Sequence, residues 1–446
     1  MRFIPVNGAQ RERMLRAVGV SDAGELFDGL PAEVRLDRPL RLPPGLAEEE
    51  LIAHLRELAA RDLDASRVVS FLGAGCYDHY VPAIVRHVVS KPEFFTAYTP
   101  YQAEASQGTL QAVYEFQTMV AELAGMDVAN ASMYDGATAF AEAAYLAARA
   151  TGRAKVAVSG AVHPEWVDTL RSYAGSGLLE VEIVRFDPRT GLSGADALRA
   201  AATGAAALMV ASPNFFGCIE DLPAASAVAH DAGALLIAAF APALSGVLEA
   251  PGELGADVAV AEGQPLGGPM SFGGPGLGLF ACRERFLRRM PGRVVGRTVD
   301  AEGRPAFTLA LQTREQHVRR EKATSNICSD HSLNALAAAV HLAALGAEGL
   351  EQLGRACVGK AAYLRERLVA TGRFERRFAS PHGHEVALRY LGDADEMLEE
   401  MLDRGYLAGL HLRRFFPDED GTVLLCATER RTRGEIDALA EEVASL

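Results

Sequence analysis

The sequence predicts an α/β protein with a large, mostly parallel sheet and a smaller α/β domain at the C-terminal end. Short apolar runs recur roughly every 20 to 30 residues between 155 and 282, and helical segments separate several of them. Buried parallel strands with crossover helices have this pattern. From about residue 319 the order is helix, helix, strand, helix, strand, helix, which indicates the smaller domain.

Residues 1–69 are predicted to form a helical N-terminal extension. Apolar residues at three- and four-residue steps, at 14, 15 and 18 and again at 51, 52, 55 and 58, are typical of amphipathic helices. The sequence Pro-Pro-Gly at 43–45 separates the two helices. We therefore expect three parts, namely the extension, a large domain over 70–318 and a small domain over 319–446.

The large domain is predicted to begin with helices. Apolar residues line one face of a helix that ends at Gly125, and Asp135, Gly136, Ala137 and Thr138 open a second, alanine-rich helix. Backbone N–H groups at the start of a helix can hold a phosphate or a carboxylate, so these four residues form a candidate anion-binding turn. An ordinary capped turn explains the same residues, and both interpretations stay open.

The predicted strands of the large sheet are short and apolar, as strands buried on both faces are. They are 155–158, 181–184, 206–210, 234–237, 257–260 and 278–282. The small domain is predicted to contain a long apolar helix at 333–345, strands at 385–390 and 423–427, and a closing helix at 433–446.

The composition argues against several classes of function. The formal net charge of -14 disfavours nucleic-acid binding, and no run of 18 apolar residues predicts a membrane span. Six cysteines without a C-x-x-C pair fit a reducing cytoplasm, and the N-terminus has no apolar signal core. The histidine motifs at 76–79 and 382–385 lack the spacing of a metal site, so no metal is expected. We expect a cytoplasmic protein.

The segment 313–326, TREQHVRREKATSN, is the densest polar stretch. Glu315 and Arg319 stand four residues apart, as in a solvated helix with its own ion pairs. Arg314 and the basic residues that follow it also form an anion-attracting group beside the small hydrogen-bond donors at 324–326. A solvated helix and a contact to a phosphate or carboxylate both remain open.

Six segments taken together resemble the glycine cleavage system P-protein family. They are FLGAGCYDHY at 71–80, TAYTPYQAE at 96–104, NASMYDGAT at 130–138, SPNFFG at 212–217, EGQPLG at 262–267 and TREQHVRREKATSNIC at 313–328. The segments occur in the family's order along essentially the whole chain. Within the family the chain is similar to subunit 1, the α subunit, of the decarboxylating glycine dehydrogenase in its split, two-chain form.

The resemblance implies a fold of the pyridoxal-phosphate-dependent aspartate aminotransferase type (fold type I), with a mostly parallel seven-stranded sheet. It also implies a reaction in which glycine loses its carboxylate through pyridoxal phosphate, while the aminomethyl group passes to the lipoyl arm of H-protein. The implied partners are P-protein subunit 2 and lipoylated H-protein, with the two subunits forming a heterotetramer.

In the split family the cofactor lysine belongs to subunit 2, and this sequence agrees with that arrangement. The loop where the fold carries its lysine reads AEGQPL at 261–266, and the amide of Gln264 cannot form a Schiff base. The fold also places an aspartate after the preceding strand, where this chain has Ala239. The resemblance therefore implies that subunit 2 binds pyridoxal phosphate covalently, and that this chain alone holds no catalytic residue.

The resemblance further implies that active sites form at subunit interfaces, so this chain is expected to complement the pocket of its partner. Hydroxyls, an amide and an arginine suit contacts to a phosphate or to the glycine carboxylate. The candidate residues are Tyr98, Tyr101, Gln102, Arg314, Thr324, Ser325 and Asn326.

Two other functions remain open from the sequence. An autonomous pyridoxal phosphate transaminase or decarboxylase would have to use one of only four lysines, of which Lys322 lies in the polar segment. A structural pseudoenzyme would place no residue in any active site. The sequence departs from the family pattern at Ser329, Asp330 and His331, which add an acid and an imidazole to that edge.

Overall fold

The computed structural model describes residues 5–36, 38–64 and 66–446. The chain divides into two compact units, residues 1–63 and residues 64–446. The first unit contains helices α1 (Gly8–Val18) and α2 (Glu48–Ala59), and Asn7 caps α1 by accepting the N–H of Gln10. Apolar side chains on both helices, such as Met14 and Leu55, are exposed. The border predicted at residue 69 and the division of the remainder at 318 stay predictions.

The second unit alternates strands and helices along most of its length. Its helices are α3 (Ala83–Val89), α4 (Pro92–Phe95), α5 (Gln107–Ala124), α6 (Gly136–Thr151), α7 (Pro164–Ala174), α8 (Ala195–Ala202), α9 (Leu222–Asp231), α10 (Gln316–Arg319), α11 (Ser332–Ala370), α12 (Ala394–Asp403) and α13 (Arg433–Ala444). Its strands are β1 (Val69–Ser70), β2 (Val128–Ala129), β3 (Lys155–Ser159), β4 (Glu180–Val184), β5 (Ala207–Ser212), β6 (Leu235–Phe240), β7 (Val258–Glu262), β8 (Gly278–Cys282), β9 (Val294–Val299), β10 (Pro305–Ala310), β11 (Phe374–Arg376), β12 (Glu385–Tyr390), β13 (Tyr406–Leu407), β14 (Leu410–His411) and β15 (Thr422–Cys426).

The large sheet has seven strands in the order β2-β8-β7-β6-β5-β3-β4. Strands β7, β6, β5, β3 and β4 pair in parallel, whereas β8 is antiparallel to both β7 and β2. All six predicted strands are present, with ends that shift by three residues at most. The predicted α/β fold with a mostly parallel seven-stranded sheet is therefore confirmed.

Helices cover both faces of this sheet, and successive strand residues alternate between the two cores. Leu236 and Ala238 of β6 pack with residues of α5, α8, α9 and α11 on one face. Ile237 and Ala239 of the same strand pack with α6 and α7 on the other face. Because side chains alternate along a strand, a continuous apolar run is needed to fill both cores. The carboxyl ends of β3, β5, β6 and β7 lie at one edge, where ligands bind in open α/β sheets.

A four-stranded antiparallel sheet, in the order β11-β12-β15-β14, forms the C-terminal part. Its core contains Leu388 and Leu425 together with residues of α12 and α13. Strands β12 and β15 were predicted, but β2, β11, β14 and the β9–β10 hairpin were not. Most of these missed strands are two or three residues long, too short to show a period of two.

Helix α11 combines two segments across a kink at Gly346, whose φ of +63° is a left-handed conformation that favours glycine. Among the described residues it is the one helix long and apolar enough to cross a membrane, judged by length and composition alone. Ala335, Ala338 and Leu342 pack against the large sheet. This part of α11 is accordingly a core helix of the α/β unit.

Candidate functional site

Two residues at the end of β7 and in the loop that follows it, Glu262 and Gln264, define the centre of the candidate site. Glu262 is the last residue of β7, and the loop continues to β8 with residues 263–277. Helix α6 starts beside it, with Asp135 as its N-cap. In an open α/β sheet this edge is the place for an anionic ligand, because strand ends and a helix N-terminus meet there.

The carboxylate of Glu262 lies at the first N–H group of α6, that of Gly136. It accepts hydrogen bonds from Gly136 N at 2.9 Å, Gln264 N at 2.9 Å and Leu277 N at 2.8 Å. Burial raises the pKa of Glu262, although the three N–H donors act in the opposite direction. Asp135 caps the helix by accepting Thr138 N at 2.7 Å. The candidate anion-binding turn at 135–138 therefore holds carboxylates of this chain.

Gln264 is buried and uses its whole side-chain amide in hydrogen bonds. Its Oε1 accepts the N–H of Tyr77 at 3.0 Å, and its Nε2 donates to the carbonyls of Tyr77 at 3.0 Å and Gly268 at 2.8 Å. The side chain therefore fastens the segment around residue 77 to the loop after β7. A lysine could not replace it, because an ammonium group donates hydrogen bonds and accepts none.

A narrow cleft of about 80 Å³ remains at the strand ends, lined by Tyr77, His163, Trp166, Ala239 and Glu385 among others. A cavity that holds benzene measures roughly 150 Å³. Close contacts explain the small volume. A Cβ at Gly136 would lie 2.3 Å from the Trp166 ring, so only glycine fits between α6 and that ring. The cleft is lined by residues from six parts of the chain, at 75–77, 163–166, 211–215, 239–243, 262–265 and 384–385.

Tyr77 and Glu385 form a buried pair at the back of the cleft. Glu385 accepts the N–H of Ala74 at 2.6 Å and the hydroxyl of Tyr77 at 2.9 Å. Burial raises the pKa of Glu385 to about 7, despite these two donors, and burial also raises the pKa of Tyr77. Burial lowers the pKa of His163, although its Nε2 lies 2.9 Å from the carbonyl of Ala74, a contact that acts in the opposite direction.

These residues do not fit pyridoxal phosphate, the cofactor that the resemblance implies for the family. Gln264 stands in the loop that would carry the lysine, and Ala239 stands where the ring nitrogen would need an acid. The carboxylate of Glu262 occupies the helix N-terminus that would bind the phosphate. Among the described residues that line the cleft there is neither a lysine to bind that group covalently nor an arginine to pair with its phosphate.

A second group of candidate residues lies where the loop at 96–104 meets the polar segment. The Tyr101 ring contacts the His317 ring, with centroids 5.5 Å apart, and Arg293 lies 5.6 Å from the Tyr101 centroid. Tyr98 is 78% exposed and Tyr101 is 52% exposed. The structure thus brings Tyr101 together with the polar segment, while Tyr98 and Gln102 project their side chains to solvent.

Arg293, which the sequence analysis missed, organises this group. It is 4% exposed, donates to the carbonyl of Cys328 at 2.6 Å, and lies 3.4 Å from the carboxylate of Glu315 and 3.3 Å from the hydroxyl of Tyr101. The signal in the sequence was weak, because Arg293 is one of six arginines between residues 283 and 297 and nothing in the sequence distinguishes it from the others. A buried arginine at such a position needs several acceptors, which only the fold reveals.

Arg314 points inward rather than toward an exposed surface. It is 9% exposed and donates to the carbonyls of Met290 and, at 3.1 Å, of Gly292. Burial lowers its pKa, and Glu315 partly offsets that effect. Its observed role is to hold the turn that leads into β9. A direct contact between Arg314 and a bound phosphate or glycine carboxylate would need its guanidinium to leave these carbonyls.

The polar segment is a series of turns around the single helical turn α10, which is shorter than the solvated helix considered above. The backbone N–H of Thr324 donates to the carbonyl of Arg314 at 2.9 Å, and the hydroxyl of Ser325 accepts the N–H of Ile327 at 3.1 Å. Asn326 is exposed. Asp330 and His331 follow directly, and burial raises the pKa of Asp330. The candidate residues at 324–326 therefore form one continuous edge.

His79, Cys357 and Glu429 form the one group among the described residues that could hold a metal ion, with ligand atoms within 4.8 Å of one another. His79 Nδ1 lies 2.6 Å from the Glu429 carboxylate, which also accepts the N–H of Tyr80 at 2.6 Å. These bonds lower the pKa of Glu429 to about 2, against the opposing effect of burial. The carboxylate is thereby already bonded to protein donors, and the expectation of no metal stays a prediction.

Comparison with known proteins gives full-length matches. The model of the family described as glycine cleavage system P-protein matches residues 1–443. A probable glycine dehydrogenase (decarboxylating) subunit 1 from Moorella thermoacetica is 48% identical over 440 residues, which cover 98% of each chain. A protein of the same description from Desulforamulus reducens is 45% identical over 447 residues and 100% of each chain.

Solved structures show the same relationship. A crystal structure of glycine decarboxylase (P-protein) of the glycine cleavage system, in inhibitor-bound form, superposes with a TM-score of 0.90, 41% identity and full coverage of both chains. A glutamate decarboxylase from Lactobacillus brevis superposes with a TM-score of 0.68 at 13% identity, over 94% of this chain and 96% of that one. At that identity the likeness concerns the fold alone.

Proposed function

This chain belongs to the glycine cleavage system P-protein family, and from that membership we propose that it is subunit 1 of a glycine dehydrogenase (decarboxylating). The complex decarboxylates glycine with pyridoxal phosphate and passes the aminomethyl group to the lipoyl arm of H-protein. Subunit 2 binds the cofactor covalently, and this chain completes the pocket of that partner. The proposed assembly is a cytoplasmic heterotetramer that acts without nucleic acid or a membrane.

The observation that carries this proposal is the filled cleft of this chain. Glu262 neutralises the helix N-terminus and Gln264 bonds the loop after β7 to Tyr77, so the strand ends are closed by internal contacts. A chain of this fold that cannot hold the cofactor needs a partner to perform cofactor chemistry. An autonomous transaminase or decarboxylase is disfavoured for the same reason.

The contribution of this chain is assigned to the edge formed by the loop at 96–104 and the polar segment. Tyr98, Gln102 and Asn326 are exposed there and offer two kinds of neutral hydrogen-bonding group to a partner. Tyr101 joins the same edge beside Arg293. Arg314 acts as a positioning residue, since its guanidinium is bonded to the carbonyls of Met290 and Gly292. These side chains orient what the partner binds and help to exclude water from it.

Co-expression of this chain with subunit 2 tests the proposal. Exchange of carbon dioxide into glycine should require both chains and lipoylated H-protein. Each chain alone, and the complex supplied with H-protein that lacks its lipoyl group, serve as controls and should show no exchange above background. Full activity from this chain alone would overturn the assignment and support the autonomous enzyme.

A further inference from the structure

A cationic pocket with a volume of about 660 Å³ lies beside β11 and β12, and it shares no lining residue with the filled cleft. We call it the arginine pocket and define it by Arg189, Arg365, Arg376 and His382, which line it. No aspartate or glutamate is among its lining residues in the described part of the chain. Such a concentration of positive charge is unusual in a protein whose formal net charge is -14.

The backbone around the arginine pocket is fixed by hydrogen bonds between distant segments. Ile219 N donates to the carbonyl of Pro381 at 3.0 Å, and Gly383 N donates to the carbonyl of Gly217 at 2.9 Å, so His382 is held on both sides. At the rim, the N–H of residue 379 donates to the carbonyl of Arg189 at 3.2 Å. The pocket is therefore a preorganised feature of the fold.

Arg365 enters the pocket from α11 with unused hydrogen-bonding capacity. Its side chain is 20% exposed, and its Nε is buried without a hydrogen-bond partner. Its nearest acid is Glu366, 3.7 Å away with a side chain that is 63% exposed, so this pair is weak. Burial lowers the pKa of Arg365, and the charge of Arg376 lowers it further. An acceptor with negative charge would satisfy this guanidinium.

The remaining basic groups of the pocket also face one another. Burial lowers the pKa of His382, and Arg365 and Arg376 both act in the same direction. Two guanidinium groups are hence held close to an imidazole with no lining acid to balance them. The charge of Arg377 is balanced, because its guanidinium donates to the Glu419 carboxylate, with 2.6 Å from Nε to Oε2. The charge of Arg365 and Arg376 favours an anion and disfavours a metal cation.

We propose that the arginine pocket binds a small molecule that bears a phosphate group. Guanidinium groups remain charged at all working pH values and match the oxygens of a phosphate with pairs of N–H donors. The ring of Phe378, which is 9% exposed, also lines the pocket. It provides an apolar surface for the organic part of a phosphate ester, whose size the cavity volume accommodates. The site is independent of the proposed reaction and of its cofactor.

Isothermal titration calorimetry of the intact two-subunit complex, with pyridoxal phosphate bound and at constant ionic strength set with chloride, tests this proposal. The two probes are inorganic phosphate and adenosine monophosphate. Tighter binding of the ester identifies an organic phosphate as the occupant, whereas equal binding of both identifies free phosphate. Either result supports the site.

Arg365→Gln and Arg376→Gln should each weaken binding by at least about tenfold, since each removes charged hydrogen bonds. Arg355→Gln is the matched control, because Arg355 lies on the same helix, is 71% exposed and pairs with Glu351. Arg376 is exposed, so its variant should fold, which thermal unfolding verifies. Absence of binding by both probes, or equal affinity in all three variants, would overturn the proposal.

Discussion

Gln264 and Glu262 show how two side chains can change the use of a fold without changing the fold itself. Gln264 makes three hydrogen bonds that join the loop after β7 to Tyr77 and Gly268. Glu262 places a carboxylate where the fold otherwise binds an anion from solution. The sequence predicted that Gln264 could not carry a cofactor, but it could not predict the role of Glu262. That role depends on α6 and β7 lying side by side.

Replacing Gln264 with leucine should destabilise the chain by about 2 to 4 kcal/mol. The substitution leaves three part-buried backbone groups of Tyr77 and Gly268 without their side-chain partner, and each such group costs roughly 1 kcal/mol, the low end for a buried group. Chemical denaturation measures the change. Gln352→Leu is the control, because Gln352 is exposed and bonds only to Glu348, and it should change the free energy of unfolding by less than about 0.5 kcal/mol. Equal effects of the two variants would contradict the role assigned to Gln264.

Glu385 should make stability depend on pH in a definite direction. Its pKa in the folded chain is about 7, compared with an ordinary value of 4.5, so the folded state holds the proton more tightly. The stabilisation is complete below pH 4.5 and is lost as the pH rises through 7. The shift corresponds to about 3 kcal/mol. Denaturation of wild type and Glu385→Gln between pH 5 and 8 measures it, and the fall with pH should be smaller in the variant. If the stability of both proteins changed with pH in the same way, Glu385 would not be the source of the pH dependence.

Among the elements, the long apolar and periodic ones were predictable, whereas the short ones were not. The strands from β3 to β8 and the helices α5, α6 and α13 appear where hydrophobic periodicity placed them. The β9–β10 hairpin was missed because β9 begins with two buried valines and ends exposed, which is neither a full alternation nor a full apolar run. Arg293 directly precedes this hairpin, and Arg314 bonds to the turn before it. Because the hairpin was missed, the inward orientation of both arginines could not be predicted either.

The loop at 96–104 should affect the activity of the complex and leave the stability of the chain unchanged. Tyr98 is 78% exposed, so Tyr98→Ala removes few contacts within the chain and should change its unfolding temperature by less than about 2 °C. Glycine-dependent exchange by the complex should fall at least about tenfold if the ring contacts the partner's pocket. Leu391→Ala, at a side chain that is 55% exposed, is the control. Unchanged kinetics in a fully assembled Tyr98→Ala complex would show that Tyr98 does not contribute to the partner's pocket.

For the molecule as a whole, the fold is that of a cofactor enzyme while the cleft is closed by the chain itself. The glycine cleavage system P-protein family supplies the explanation that we propose, namely that the cofactor chemistry is located in subunit 2. The overall sheet and the absence of lysine from the loop at 261–277 were accessible from the sequence because they depend on local patterns. The closed cleft and the arginine pocket were not, since both combine residues separated by more than a hundred positions.

The location of the cofactor tests the central claim most directly. Borohydride reduction of the active two-subunit complex fixes pyridoxal phosphate irreversibly to the lysine that binds it, and peptide mapping then identifies that lysine. We predict that the label lies entirely on subunit 2 and that this chain, reduced alone with added pyridoxal phosphate, carries no specific label. A stoichiometric label, about one cofactor per chain, on Lys91, Lys155, Lys322 or Lys360 of this chain would contradict the account.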